Sequence, residues 1–321
     1  MLAAGVAAAS PMALAETVQR AKRLAAQRGL FLGCAVEPKT LQSDAAFAAL
    51  VQGQCSQITP ENAMKWSVLQ PDENHLDFAP ADQLVRWAGE RGLKVYGHCL
   101  VWHEALPQWV ADRLQGGSAQ ALMDAHIEAV VGRYRGQARA WDVVIEAIER
   151  ADGRADGLRR SPWLNALGPG YIEHAFRAAH SADPDARLAL ADYGLEYDDV
   201  PWMVEKRRAI LTLIEGLKAR GAPIHALNIQ SHLIGDRPPA FGKPLQNFLG
   251  QVAALGLDIY VGELDVEDQK MAGDAAQRDA RIGDIYRRYL DVVLAEPAVR
   301  SLSTWGLSDR YTAKAAGLGL S

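Results

Sequence analysis

The chain has 321 residues, of which 49% are hydrophobic and 23% charged, and its formal net charge is -5. A chain of this length can form one domain with a single large hydrophobic core. It is long enough for a barrel of about 250 residues with additional loops and helices. Lys and Arg are scattered among Asp and Glu and form no basic stripe, so we expect no nucleic-acid partner. After the N-terminal segment, no stretch reaches the ~18 apolar residues of a membrane span, so we expect no membrane partner.

Residues 1–15 are small and apolar and end in Ala13-Leu14-Ala15, the small-x-small form at which signal peptidase cuts. No Lys or Arg precedes this stretch. The segment therefore predicts a signal peptide that has lost its basic start, with a plain N-terminal extension as the alternative. We expect a secreted or periplasmic protein whose catalytic domain spans residues 16–321.

Beyond this segment, apolar strand-like runs alternate with amphipathic helical stretches, a pattern that favours a parallel sheet wrapped by helices. The eight predicted strands cover residues 31–36, 54–59, 94–101, 138–146, 187–192, 224–231, 258–265 and 301–307. Predicted helices between them cover residues 80–91, 120–134, 171–180, 203–220, 245–255 and 278–294. Eight such strands predict an α/β fold, a (β/α)8 TIM barrel, in a single domain.

Three cysteines, Cys34, Cys55 and Cys99, lie in or beside apolar strand-like runs. Because their number is odd, they cannot form a complete disulfide framework. We interpret them as buried small hydrophobic residues. A disulfide bridge or a metal site is the alternative for these positions.

Polar and aromatic residues cluster at the C-terminal ends of the predicted strands, which converge on one mouth in such a barrel. They are Glu61, Asn62, His98, His103, Glu146, Gln230, His232, Glu263, Asp265 and Trp305. Residues 151–170, rich in Gly, Asp and Arg, predict a long loop after the fourth strand. Loops of this kind build active sites on barrels, so the sequence predicts a functional site at the mouth.

Glu146 and Glu263 each close an apolar strand-like run, where a carboxylate is costly unless it is paired or hydrated. An ion pair with Lys or Arg is one explanation for either glutamate alone. Two glutamates on opposite strands favour a facing pair, which glycosidic cleavage uses. One carboxyl protonates the leaving oxygen, and the other attacks the anomeric carbon or directs water to it. Trp102 and Trp305 at the same mouth are predicted to stack on sugar faces.

Five motifs, each at the end of a predicted strand, make a family assignment specific. They are Thr59-Pro60-Glu61-Asn62-Ala63-Met64-Lys65-Trp66, Gly97-His98-Cys99-Leu100-Val101-Trp102-His103, Trp141-Asp142-Val143-Val144, Gln230-Ser231-His232-Leu233 and Gly262-Glu263-Leu264-Asp265. Over residues 29–311 the chain resembles family 10 glycoside hydrolases, the endo-β-1,4-xylanases. The resemblance implies hydrolysis of internal bonds in xylan or xylo-oligosaccharides. We expect a monomer, and nothing in the sequence argues for a cofactor or metal.

The resemblance also implies a retaining double displacement, with Glu146 as general acid/base and Glu263 as nucleophile. It implies that His232 hydrogen-bonds the nucleophile and holds it ionised, with Asp265 in support. In retaining enzymes the two carboxyls lie about 5 Å apart, so the partner charge and burial should keep Glu146 protonated. The positions that match sugar-binding residues on the non-reducing side of the cut are Glu61, Asn62, Lys65, His98, Trp102 and Gln230. Trp305 matches a platform that covers the bond.

The chain departs from the family at several positions. Ile145 precedes Glu146 where the family normally has Asn. That Asn would donate a hydrogen bond to the sugar 2-hydroxyl, and losing one such donor costs about 3 to 4 kcal/mol of transition-state stabilisation. Ala191 stands where the family often has Asn, and Ala313 stands near a usual second Trp platform. The sequence stops at Ser321, soon after the eighth strand, so we expect a C-terminally truncated barrel without its final helix.

These departures leave a second hypothesis open, in which the barrel binds xylan or xylo-oligosaccharides but turns over slowly. Its sugar contacts would be Glu61, Asn62, Lys65 and Trp305. Binding without turnover would distinguish it from an active enzyme.

A third hypothesis is a metal-dependent hydrolase. Its candidate ligands are His98, His103, Glu146 and Asp265. The sequence disfavours it because the expected His-x-His pair on one strand is missing. His98 and His103 are five residues apart on a predicted strand, so their side chains should point to opposite faces.

Overall fold

The fold is given by a computed structural model that describes residues 21–311. The predicted leader at residues 1–15, Ala313 and the C-terminal end, where the final helix is expected to be missing, lie outside the described residues. Within residues 21–311, no helix combines the length and the apolarity that crossing a membrane requires.

Eight parallel strands close into a barrel. They are β1 (Phe31–Val36), β2 (Gln57–Pro60), β3 (Lys94–Gly97), β4 (Ala138–Ile145), β5 (Arg187–Asp192), β6 (Ala226–Ile229), β8 (Asp258–Glu267) and β9 (Val299–Thr304). Neighbours pair in chain order, β6 pairs with β8, and β9 returns to β1. A short additional strand, β7 (His232–Ile234), pairs with the C-terminal part of β8. The predicted barrel is confirmed.

Helices connect the strands around the outside of the barrel. They are α1 (Pro38–Ser43), α2 (Ala45–Gln54), α3 (Trp66–Leu69), α4 (Ala79–Glu90), α5 (Gln108–Leu114), α6 (Ala119–Arg133), α7 (Pro162–Leu167), α8 (Tyr171–Ala182), α9 (Pro201–Ala219), α10 (Lys243–Ala254) and α11 (Ala275–Val293). The six predicted helices are α4, α6, α8, α9, α10 and α11, each correct to within three residues at either end. The five short helices were not predicted.

Several predicted element boundaries are wrong. Gln54, predicted to begin a strand, is the last residue of α2. This helix forms because Asp44 caps it, accepting a hydrogen bond from the Phe47 amide at 3.0 Å, and because Phe47 and Val51, one turn apart, are both buried. The strand predicted over residues 94–101 ends at Gly97. Beyond a break, Val101 forms only an isolated bridge to Val144.

Close packing between strands fixes the barrel interior. Two tyrosines, Tyr96 on β3 and Tyr260 on β8, meet edge to face with ring centroids 5.8 Å apart, and alanines on β4, β5 and β6 leave room for them. At Gly97, a Cβ atom would lie 2.1 Å from Cε3 of the fully buried Trp141 ring. A side chain at this position is therefore excluded.

The three cysteines are buried and free, as predicted for small hydrophobic residues. The Sγ atoms of Cys34 on β1 and Cys55 before β2 lie 3.6 Å apart. Cys99 lies at the mouth of the barrel, where it packs against Ile145 and Ala191. The thiols therefore fill space between strands.

Replacing Gly97 by alanine should destabilise the protein by about 3 kcal/mol, because the buried Trp141 ring has no room to move aside. Guanidinium unfolding would measure the loss. Gly89→Ala in α4 is the matched control, since a Cβ there meets nothing within 4 Å and should be neutral or stabilise by up to ~1 kcal/mol. Equal stability of the two variants would contradict this packing.

Candidate active site

The C-terminal ends of the strands open into a cavity of about 1130 Å³. Eleven of the residues predicted at the mouth line it: Glu61, Asn62, Lys65, His98, Trp102, Glu146, Gln230, His232, Glu263, Asp265 and Trp305. The structure therefore brings these eleven together. His103, also predicted at the mouth, does not line the cavity, although its Nε2 lies 3.9 Å from Glu146 Oε2. Arg159, Tyr193 and Trp202, which the sequence analysis does not single out, also line the cavity.

Strand pairing places Glu263 beside a histidine. The register of β7 and β8 sets His232 opposite Asp265, and Glu263 precedes Asp265 by two residues, on the same face of β8. His232 Nδ1 lies 2.9 Å from Asp265 Oδ1, and its Nε2 lies 3.3 Å from Glu263 Oε2. The contact expected between His232 and Glu263 is present.

Charge around Glu263 favours its ionised form. Burial alone would raise the pKa of Glu263, but the hydrogen bond from His232 and the nearby charges of His98, His232 and Lys65 lower it below its usual value. Burial would lower the pKa of His232, but its bonds to Asp265 and Glu263 raise that pKa to about 10. Glu263 Oε1 is buried and accepts no hydrogen bond from the described residues, so His232 holds this carboxyl through Oε2 alone.

Glu146 follows β4 with a φ of 57°, in the left-handed region that non-glycine residues rarely adopt. Its amide donates to the Ala191 carbonyl at 2.8 Å, which ties this turn to β5. Its Oε1 accepts a hydrogen bond from Gln230 Nε2 at 3.1 Å, and its Oε2 lies 3.7 Å from Arg159 Nη2. Gln230, predicted as a sugar contact, therefore holds the Glu146 carboxyl.

The surroundings of Glu146 favour its protonated form. Burial raises its pKa, and the charge of Asp192 raises it further. The hydrogen bond from Gln230 and the charge of Arg159 act in the opposite direction but are outweighed. Two carboxyls whose pKa values are shifted apart form an acid and base pair.

A polar wall extends from β2 on one side of the cavity. Lys65 Nζ donates to Asn62 Oδ1 at 2.9 Å, and Asn62 Nδ2 donates to Glu37 Oε1 at 2.7 Å. Burial, followed by the charge of Glu37, raises the pKa of Glu61 to about 7. Lys65 Nζ also lies 5.2 Å from the centroid of the Trp102 ring. The wall thus offers donors and acceptors to a ligand rich in hydroxyl groups.

Trp305 follows β9 and covers the Glu263 side of the cavity. Its ring meets His98 edge to face at 5.3 Å between centroids and 69°. It meets His232 at 6.5 Å and 88°. The indole is thus held at a steep angle to both histidines.

Arg159 was missed because it is one of four arginines in residues 150–160. In the structure its Nε donates to the Glu146 carbonyl at 2.8 Å, and its Nη2 donates to the Tyr193 hydroxyl at 2.9 Å. Nη2 also lies 3.3 Å from Glu149 Oε2. The loop after β4 is thereby fixed to the backbone of the candidate acid.

The comparisons with known proteins agree with this geometry. The family model for glycosyl hydrolase family 10 matches residues 20–316. The chain belongs to glycosyl hydrolase family 10. The sequence is similar to a β-1,4-xylanase of Dictyoglomus thermophilum, with 36% identity over 271 residues that cover 82% of this chain and 74% of that protein.

Solved family 10 structures have the same fold. Native xylanase 10B from Thermotoga maritima matches with a TM-score of 0.81 and 30% identity, over 91% of this chain and 88% of that chain. Xylanase 10B from Thermotoga petrophila RKU-1, solved in complex with xylobiose, matches with a TM-score of 0.80 and 30% identity, over 91% and 87%.

Two departures of this family 10 chain from its family pattern are neighbours in space. Ile145 and Ala191 are partners in the register of β4 and β5. With Cys99 they form a small apolar cluster against Trp102. Ile145 also lines the cavity. The residue before Glu146 therefore presents an apolar surface where the family pattern has an amide.

The structure does not bring the four hypothesised metal ligands together. Among the described residues, His98 groups with Asp142 and Glu263, whereas His103 groups with Glu104 and Glu146. The prediction that His98 and His103 lie on opposite faces of one strand is wrong, because β3 ends at Gly97 before either histidine.

The raised pKa of His232 makes stability depend on pH. A group whose pKa rises on folding stabilises the folded state fully below its unfolded value, here 6.5, and that stabilisation is lost as pH rises towards 10. We expect the unfolding free energy to fall more steeply in the wild type than in His232→Gln when measured by denaturant at about pH 6, 8 and 10. Parallel pH profiles would show that His232 is not held as an imidazolium.

Proposed function

We propose that this chain is an endo-1,4-β-xylanase that hydrolyses internal β-1,4-xylosidic bonds with retention of configuration. The observation that carries the proposal is the pair of buried glutamates, Glu146 and Glu263, whose pKa values are shifted in opposite directions. Relatives named as xylanases support xylan as the substrate, as does the xylobiose bound to the Thermotoga petrophila enzyme.

In the first step, the ionised Glu263 attacks the anomeric carbon while Glu146 protonates the departing oxygen. The unpartnered Oε1 of Glu263 suits this attack, because Oε2 is held by His232. In the second step, Glu146 takes a proton from water, and the hydroxide cleaves the glycosyl ester with Glu263 as leaving group. Two inversions at the same carbon retain its configuration.

The polar wall of Glu61, Asn62 and Lys65 is placed to bind the sugar that becomes attached to Glu263. Lys65 and His98 both lower the pKa of Glu263, and Glu263 in turn raises the pKa of Glu61, so the wall lies close to the nucleophile. The wall offers both hydrogen-bond donors and acceptors. A sugar can bind to both, since each of its hydroxyl groups donates and accepts hydrogen bonds.

Removing the nucleophile tests the function directly. Glu263→Ala should reduce reducing-sugar release from xylan by at least about 10⁴-fold, because the covalent route is lost. Glu215→Ala, at an exposed glutamate of α9, is the matched control and should retain wild-type activity. Assays on xylan and on a soluble cellulose derivative would also define the substrate. Xylan binding without any release by the wild type would refute the active enzyme.

The stereochemical course has a separate test in the acid/base variant. Glu146→Ala should cleave an aryl β-xylobioside slowly, and added azide should accelerate the second step because it needs no general base. The expected product, identified by NMR, is β-xylobiosyl azide. An α-configured azide would exclude double displacement through Glu263.

Restoring an amide before the acid should raise activity. Ile145→Asn places a donor on the cavity wall beside Glu146. The value of kcat/KM on xylan should increase by at least about tenfold and at most by the factor of about 10²–10³ that one preorganised donor supplies. Ile145→Val keeps the wall apolar and is the control. If the Asn variant is folded and no faster than the Val variant, position 145 does not limit turnover.

A further inference from the structure

Trp202, at the start of α9, is unusually exposed. Among the Phe, Tyr and Trp side chains of residues 21–311 it is the only exposed one, with 44% of its surface accessible. It lines the same cavity as the two glutamates. An exposed indole at the rim of a cleft lacks the stabilisation that burial would give. A ligand that covers the ring would supply that stabilisation on binding.

The Trp202 ring is held in one place by the residue beneath it. Gly194, after β5, has a φ of 69°, and a Cβ atom there would lie 2.4 Å from Cζ3 and 2.5 Å from Cη2 of the indole. The Tyr193 ring lies 6.4 Å away at 61°. Any side chain at position 194 would displace the indole, so the glycine creates the seat for it.

The order of the strands places Trp202 across the mouth from the polar wall. Around the barrel the order is β1, β2, β3, β4, β5, β6, β8 and β9. The polar wall follows β2, whereas Trp202 follows β5, next to the strand diametrically opposite β2. Arg159 donates hydrogen bonds both to the hydroxyl of Tyr193, which lies beside Trp202, and to the backbone carbonyl of Glu146. Trp202 thus belongs to the side of the cleft where the acid protonates the leaving oxygen.

We propose that Trp202 is the stacking platform for a xylosyl residue on the leaving-group side of the cleft. The assignment rests on the proposed function. A xylopyranosyl ring has no hydroxymethyl branch, so its C–H faces pack flat on an indole and cover its exposed surface. Binding energy gained there, away from the reacting bond, helps to position a long chain for cleavage.

Kinetics on two substrates test the platform. Xylopentaose places sugars on both sides of the cut, whereas 4-nitrophenyl β-xylobioside has no leaving-group sugar. In Trp202→Ala, kcat/KM for xylopentaose should fall about tenfold more than for the aryl xylobioside, which corresponds to about 1.4 kcal/mol. Trp202→Phe should restore most of the loss. Gly194→Ala should reproduce it by displacing the ring.

Trp87→Ala is the matched control, because Trp87 lies on α4 and does not line the cavity. It should leave the ratio between the two substrates unchanged. An equal loss on both substrates in Trp202→Ala would show that Trp202 only supports the fold. No loss on either substrate would also overturn the platform.

A binding measurement separates this proposal from the catalytic one. In a Glu263→Ala background, calorimetric titration with xylohexaose should give a Kd about tenfold weaker when Trp202→Ala is added. This result does not depend on turnover. If the wild type cleaves neither substrate, the xylanase proposal fails while the titration still decides the platform. An unchanged Kd would overturn the platform even in an active enzyme.

Discussion

Asp142 carries its carboxylate into the barrel, where it is 1% exposed, and a charge so deeply buried must be compensated by hydrogen bonds. Tyr96 donates to it at 2.6 Å, Asn228 donates at 2.9 Å, and His98 Nδ1 lies 2.9 Å away. Tyr96 lies on β3, His98 follows β3 directly and Asn228 lies on β6, so the network joins these two strands to β4. Asn228 in turn occupies the space that a side chain at Gly262 would need, at 2.3 Å. The backbone of Gly262, directly before Glu263, can therefore lie close to the Asn228 side chain.

The opposite pKa shifts of the two glutamates follow from topology. β7 adds a partner to one side of β8, and that partner carries the imidazolium of His232 to Glu263. β4 has no comparable addition among the described residues. Glu146 instead meets the neutral amide of Gln230, while the guanidinium of Arg159 lies 3.7 Å away, beyond hydrogen-bond distance. The proposed acid and the proposed nucleophile are thus distinguished by the fold before any substrate binds.

The eight barrel strands can be predicted from the sequence because each is an apolar run with a polar end. The site residues can be predicted because they follow those runs. β7 cannot be predicted from the sequence, since three residues are too few to show an alternation of apolar and polar side chains. Asp142 interrupts an apolar run, a signal that marks it as unusual but does not reveal its partners on other strands. The contacts of Arg159 and the packing of Trp202 over Gly194 depend on the paths of two loops. Those paths are set by tertiary packing rather than by local pattern.

The loop after β4 is closed at its base by a short bridge, and insertions inside and outside that bridge have different consequences. Ile148 and Leu158 form an antiparallel bridge, and the Arg159 amide donates to the Ala147 carbonyl at 2.8 Å. Residues added between the two sides of the bridge lengthen the tip without moving Arg159. A single residue added after Leu158 would shift the guanidinium away from Glu146. A loop exchanged at this position should therefore be joined between Ile148 and Leu158, so that Arg159 keeps its hydrogen bond to the Glu146 carbonyl.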